Sequence, residues 1–378
     1  MSASISAIES LKATVKPWHD ALYDPAEAQR RALRGLLEDY SKTEYGRSCR
    51  ATPSLTIDEY QKVFRPSTYA DFEATIARVS QGDFRALLPE PPATWVMTRG
   101  TTGSPKTLPV TSKHLGQIFS CGARAMANHV LRTGRFEILQ GKVLNLNFPS
   151  RMRSMPSSSE SATYGFSSGT YARLNPAFAG TNLVPRQEEI DALGGGLTKK
   201  AWEARFELTY ESAKDEDVRV CMGVAPIITS FARYAKRRHH RLPKEFWRIG
   251  AFFCTSVPKI HWEYAPVLRH FYGEAPVVEM YTATEGVFAQ QLDDLPYVSP
   301  NYDTYLFEVV TRGRVKMLYE MKRGEWGRLL VSSCLLPRYD IGDMVECLGG
   351  QYFRVFGRAK AYTIAEHVLY RAFTRWFI

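Results

Sequence analysis

Leu33, Leu36, Leu37 and Tyr40 recur at the three- and four-residue spacing that puts side chains on one face of a helix. Asp24, Pro25 and Glu27 stand just before them as N-cap, first-turn proline and N3 acid. The spacing predicts an amphipathic helix closing near Gly46 and a second helix over 70–78, ended by Gly82. Pro89, Pro91 and Pro92 then stiffen the approach to an apolar strand at 94–97. Leu115, Ile118, Phe119 and Met126 mark one side of a helix over 112–132, followed by a strand at 143–148 and an irregular loop over 151–170. Further on, helices at 202–213, after Pro226 and at 267–272 alternate with strands at 218–222, 249–255 and 277–281. Strand–helix alternation from Trp95 to Tyr281 argues for an α/β fold with parallel strands. After Tyr305 the texture changes. Short strands at 305–310, 315–320, 328–333 and 351–356, joined by glycine-bearing turns, predict an antiparallel sheet or small barrel.

At 378 residues the chain is long enough for more than one domain, and 44% apolar with 23% charged residues describes an ordinary globular protein. Neither a signal-peptide core nor a membrane-length apolar run occurs, which predicts a soluble, cytoplasmic protein without a membrane partner. Six cysteines without CxxC spacing argue against a zinc site and fit reduced thiols. A net charge of +10 favours anionic partners. The densest basic run, 236–241, reads as a solvated helix end or as a steering patch for nucleotide or coenzyme A phosphates. No zinc-finger spacing or aromatic RNA-binding box accompanies it, so a nucleic-acid partner is not expected.

The candidate chemistry begins at residues 98–106, TRGTTGSPK, directly after the apolar 94–97 run. Threonine and serine hydroxyls with glycine N–H groups form a donor surface suited to phosphate oxygens, and Lys106 adds a charge for the same anion. Gly100 and Gly103 permit the close backbone approach this needs. The spacing does not fit GxxxxGK[ST], which excludes a Walker-type loop. The same residue types also make ordinary surface turns.

Three further segments follow in order: YTATEG at 281–286, RYDIGD at 338–343 and FGRAK at 356–360. With the loop, they resemble the adenylate-forming enzymes, which include acyl-CoA synthetases, luciferases and the plant auxin-responsive acyl-amido synthetases. The likeness is closest to the acyl-amido synthetases and their bacterial relatives, and covers residues 23–367. It implies the large α/β domain of adenylate-forming enzymes, with an adenylation core over 1–300 and an antiparallel subdomain over 301–360 completing the nucleotide site. The start of a mobile C-terminal domain would fall at 361–378.

The implied reaction is attack of a carboxylate on the α-phosphate of ATP, with Mg²⁺ as cofactor, then transfer of the acyl group to an amine or thiol. An amide synthetase is the first reading. An acyl-CoA ligase, or a nucleotide- or acyl-binding protein without turnover, stands beside it. By resemblance Thr101, Thr102, Ser104 and Lys106 hold the departing pyrophosphate, within a loop that includes Thr98, Arg99, Gly100 and Gly103. Thr284 contacts the α-phosphate and Glu285 ligates Mg²⁺, so Thr101, Thr102, Lys106 and Glu285 are the expected catalytic residues. Tyr281 flanks adenine beside Thr282, Asp343 accepts from the ribose hydroxyls with Arg358 assisting, and Thr255 frames the nucleotide. Phe166, Tyr171 and Val224 are expected against the acid, a flat or moderate-sized apolar one. Glu308 also matches the family pattern, as a functional or a structural carboxylate.

Two features depart from the family. Arg99 stands where a small serine is usual, either gripping phosphate or obstructing the loop. Val368, Leu369, Phe373, Trp376 and Phe377 form an apolar helix face, which predicts a homodimer, a separate C-terminal partner or a shortened chain.

Overall fold

The structure is a computed structural model that describes residues 2–100, 105–154, 163–178, 182–255 and 257–374. Three sheets organise it. The Thr94–Met97 strand pairs antiparallel with Thr107–Val110, so the phosphate-loop candidate is a hairpin connection, and parallel with Thr163–Phe166. A seven-stranded sheet holds Val277–Ala283, Ala251–Thr255, Val218–Val224, Lys142–Leu144 and Leu183–Val184 as neighbouring parallel strands, with Gly286–Gln290 antiparallel beside Val277–Ala283 and Ser299–Pro300 antiparallel at that edge. The third sheet is five-stranded and antiparallel, running from Leu306–Thr311 to Tyr352–Arg358 in sequence. The expected α/β class with an added antiparallel sheet is therefore observed.

Local chemistry explains the helices that carry the site. Thr111 caps the Ser112–Thr133 helix by accepting from the His114 amide at 3.2 Å, and Gly134 ends it in the left-handed conformation at φ 70°. Its middle is anchored where Arg124 makes a two-pronged ion pair with Asp303 and donates to Asn301 Oδ1 at 2.7 Å. Asp24 caps the Pro25–Tyr40 helix through the Glu27 amide, as its sequence predicts. From that helix the fully buried Gln29 donates to the carbonyls of Tyr302 and Tyr305 and accepts from the Phe307 amide, leaving no polar atom orphaned.

Several elements differ from the sequence expectation. The Pro25–Tyr40 helix stops six residues before Gly46, and a separate short helix, Glu44–Ser48, starts at the Thr43 cap. Residues 151–170 are not a continuous loop: Arg153–Ser154 and Thr163–Phe166 are strands, and Ser167–Leu174 is a helix. Strands expected at 143–148 and 315–320 are shorter, Lys142–Leu144 and Arg314–Met317. RYDIGD, from Tyr339 on, opens the long Tyr339–Gly349 strand. An unanticipated N-terminal helix, Ser2–Tyr23, packs on Ser112–Thr133, and its Trp18 donates to the Pro300 carbonyl at 3.1 Å. Among the described residues no helix is long and apolar enough to cross a membrane.

Candidate active site

Parallel sheets place ligands beyond the carboxyl ends of their strands. Here Met97, Phe166, Val224, Thr255 and Ala283 all end strands, with Met97 paired to Phe166 and Val224 to Thr255. At this edge lies a cavity of about 1170 Å³. Thr98, Arg99, Gly100, Lys106, Phe166, Tyr171, Val224, Thr255, Tyr281, Thr282, Thr284, Glu285, Asp343 and Arg358, fourteen residues singled out from sequence, all line it. Thr101, Thr102, Gly103 and Ser104 lie outside the described residues.

The loop is pinched at its neck: the Thr98 amide donates to the Lys106 carbonyl at 2.8 Å, and the Lys106 amide donates to Thr98 Oγ1 at 2.9 Å. Gly100 turns the chain at φ 68°, where a side chain would be strained. Arg99 swings over the Phe148 ring, 5.6 Å from its centroid, and burial pulls its pKa down. Lys106 Nζ reaches the Tyr339 hydroxyl at 3.3 Å.

The turn at Thr284 and Glu285 joins the Val277–Ala283 and Gly286–Gln290 strands. Gly286 is required there, because a Cβ would fall 2.5 Å from the Phe288 ring and 3.0 Å from that of Tyr305. Glu285 is buried, and burial pushes its carboxyl up despite the Lys106 charge and a hydrogen bond with Tyr339. Tyr171 donates to the Thr284 carbonyl at 2.8 Å, His114 Nε2 lies 3.2 Å from the Tyr171 hydroxyl, and Ser167 Oγ lies 3.1 Å from Thr284 Oγ1. Three side chains thus fix the turn that carries the metal-ligand candidate.

On the opposite wall Tyr281 donates to Asp343 Oδ2 at 2.7 Å, and Arg358 Nη1 donates to Oδ1 at 2.9 Å. Burial pushes the Asp343 carboxyl up, with Arg358 opposing it. Thr255 and Thr282 share a 2.6 Å hydrogen bond at the neighbouring strand ends.

Sequence reasoning left out Tyr339, His114 and Glu279, all in or against this site. Glu279 lines the cavity, and burial pushes its pKa to about 8. It also left out the cavity face of the Ser112–Thr133 helix, of which it read only that Leu115, Ile118, Phe119 and Met126 share one side. Glu308 does not line the cavity. It is paired with Arg338 inside the antiparallel sheet, so its place is structural.

A family profile described as "GH3 family N-terminal domain" matches residues 15–192. Among solved structures, AtGH3.15 acyl acid amido synthetase in complex with 2,4-DB superposes with a TM-score of 0.74 at 15% identity, covering 93% of this chain and 71% of that one. A second GH3.15 acyl acid amido synthetase structure gives 0.68 at 17% identity, covering 95% and 70%. An open conformation of 2-hydroxyisobutyryl-CoA ligase in complex with 2-HIB-AMP and CoA gives 0.59 at 16% identity, covering 89% and 74%. No curated protein sequence matches. At these identities the structural likeness is one of fold.

Proposed function

We propose that this chain, a relative of the adenylate-forming acyl-amido synthetases by its 15–192 segment and its fold, is an ATP-dependent ligase that converts a carboxylic acid to acyl-AMP and passes the acyl group to an amine. The observation that carries the reading is the convergence of Lys106, Thr284, Glu285 and the Tyr281–Asp343–Arg358 cluster on one cavity. A carboxylate oxygen bonds to the α-phosphorus, the bond to the β-phosphate oxygen breaks, and pyrophosphate leaves with the electron pair. Lys106 and the loop hydroxyls hold that growing charge, where preorganised donors favour the transition state over the ground state. Asp343 accepts from ribose hydroxyls through the lone pairs that Tyr281 and Arg358 leave free, and Tyr281 flanks the base. The buried, under-compensated Glu285 carboxylate fits a hard cation such as Mg²⁺, which would neutralise phosphate charge when bound. In the second step the amine nitrogen bonds to the acyl carbon, AMP departs and the amine proton goes to solvent.

The domain roles follow the same reading: residues 1–300 carry acid and phosphates, 301–360 supply Asp343 and Arg358, and 361–378 would serve as the hinge to a C-terminal domain. Exposed Val368 and Leu369 would be covered by a second copy or a separate C-terminal partner. Transfer to a thiol is the second reading, supported by the likeness in fold to a CoA ligase. Acid-dependent exchange of labelled pyrophosphate into ATP tests activation, and consumption of coenzyme A separates the two acceptors. Tight ATP binding without exchange for any acid would sink the enzyme reading.

A further inference from the structure

The cavity of about 1170 Å³ has to take both nucleotide and acid, and much of its lining is apolar. One limb follows the Ser112–Thr133 helix. Ile118, Gly122 and Met126 repeat every four residues along it, with Phe119, Ala123 and Ala127 alongside, and all six line the cavity. The helix starts at the reaction centre, where His114 meets Tyr171 and through it Thr284. At a rise of 1.5 Å per residue, the stripe from Ile118 to Ala127 is about 13 Å long and leads away from that centre. Phe253, Met280 and Val287 line the cavity from the sheet side, and Leu11 lines it from the N-terminal helix. These side chains are apolar, which favours an apolar occupant beside them. Ala123, midway along the stripe, and Leu139, which also lines the cavity, are solvent-exposed, so the limb is open rather than closed on a fixed length.

Gly122 is the informative position. A Cβ there would meet nothing within 4 Å, so the helix presents bare backbone to the limb. A glycine inside a helix costs roughly 0.5–1 kcal/mol relative to alanine. Filling the position therefore blocks the limb without weakening the helix.

Resting on the adenylation reading, we propose that the acid activated here is an aliphatic carboxylic acid of medium to long chain. Its carboxylate lies at Thr284 and Lys106, and its tail runs along the Ile118–Gly122–Met126 stripe.

Pyrophosphate exchange is measured with butanoate, hexanoate, octanoate, decanoate and, as a flat ring acid, phenylacetate. At about 0.8 kcal/mol for each buried methylene, kcat/KM should rise about fourfold per methylene up to decanoate. Decanoate should also exceed phenylacetate. Gly122→Leu should lower the decanoate-to-butanoate ratio more than about tenfold, the loss of two or more buried methylenes. Gly116→Leu, on the exposed side of the same helix, should leave the ratio unchanged. A profile flat in chain length, phenylacetate as the best acid, or equal losses for all acids in Gly122→Leu would each overturn the proposal. Calorimetric titration with decanoate separates this failure from failure of the adenylation reading. Binding that Gly122→Leu removes, without exchange by any acid, keeps the tail site and sinks only the chemistry, whereas no binding sinks the tail site.

Discussion

Tyr281 and Asp343 stand 62 residues apart in sequence and are joined by a 2.7 Å hydrogen bond from the phenol to Oδ2, which ties the seven-stranded sheet to the antiparallel one across the cavity. Burial pushes the Asp343 carboxyl up, while Arg358 and the Tyr281 hydroxyl hold it down. Removing the phenol in Tyr281→Phe should raise it further. Nucleotide binding that needs the carboxylate is then lost at a higher pH as the solution is acidified. ATP affinity, measured by calorimetry from mildly acid to neutral pH, should show its acid limb displaced upward in the variant. Superimposable limbs would refute the assignment of Asp343 to the nucleotide. Asp343→Ala should weaken ATP binding at least about tenfold at neutral pH, the lower range for a lost hydrogen bond to a charged group.

Tyr171 gives its hydrogen to the Thr284 carbonyl, so the nearby His114 Nε2 must act as donor to the Tyr171 oxygen. Burial lowers the His114 pKa to about 4, which keeps the imidazole neutral at working pH. His114→Gln retains a donor and should preserve both the pH profile and most of the exchange rate. His114→Leu removes the donor to the Tyr171 oxygen and should lower kcat about tenfold, equivalent to one hydrogen bond of roughly 1–1.5 kcal/mol. The readout is kcat against KM for ATP. Equal losses in the two variants would mean that His114 acts only by filling space.

The sequence made the site more legible than its surroundings, for physical reasons. Glycine, threonine and charged residues at fixed local spacings are short-range signals, so 98–106, 281–286 and 338–343 could be read without a fold. The Thr163–Phe166 strand was missed because it exists through pairing with Thr94–Met97, some seventy residues earlier in the chain. The Ser2–Tyr23 helix was readable in principle: Leu11, Val15, Trp18 and Leu22 fall at helical spacing, but Pro17 interrupts the pattern. Periodicity shows that Ile118 and Met126 share a helix face. It does not show whether that face meets other side chains or a cavity.

Arg338 and Glu308 form a two-pronged pair at 2.8 and 2.9 Å, both side chains almost fully buried, and Arg338 also donates to the carbonyls of Gln61 and Phe64. Gln61 Nε2 donates to Glu308 in turn. Glu308→Ala strands a buried guanidinium and should cost about 3–5 kcal/mol, the range for breaking a buried pair from one side. Urea denaturation checks it, and a loss below about 1 kcal/mol, the scale of exposed pairs, would show that water reaches the site.

Glu279 supplies a pH dependence of opposite origin. It lies on the Val277–Ala283 strand, with His261 Nε2 3.6 Å away, and burial pushes its carboxyl up to about 8 while pulling the imidazole down. The folded protein therefore holds Glu279 protonated at pH values where an unfolded glutamate has ionised. Its raised folded pKa contributes stability that is fully present below the ordinary glutamate range and is lost as pH rises to about 8. The slope across that window is about 1.4 kcal/mol per pH unit, on the order of a few kcal/mol in all. Glu279→Gln removes the titration while keeping a polar group of the same shape. In urea denaturation followed from mildly acid to mildly alkaline pH, the variant should gain on the parent steadily and then level off above pH about 8. Parallel curves would show that Glu279 ionises in the folded protein with the charge compensated, and His261 would be the group that compensates it.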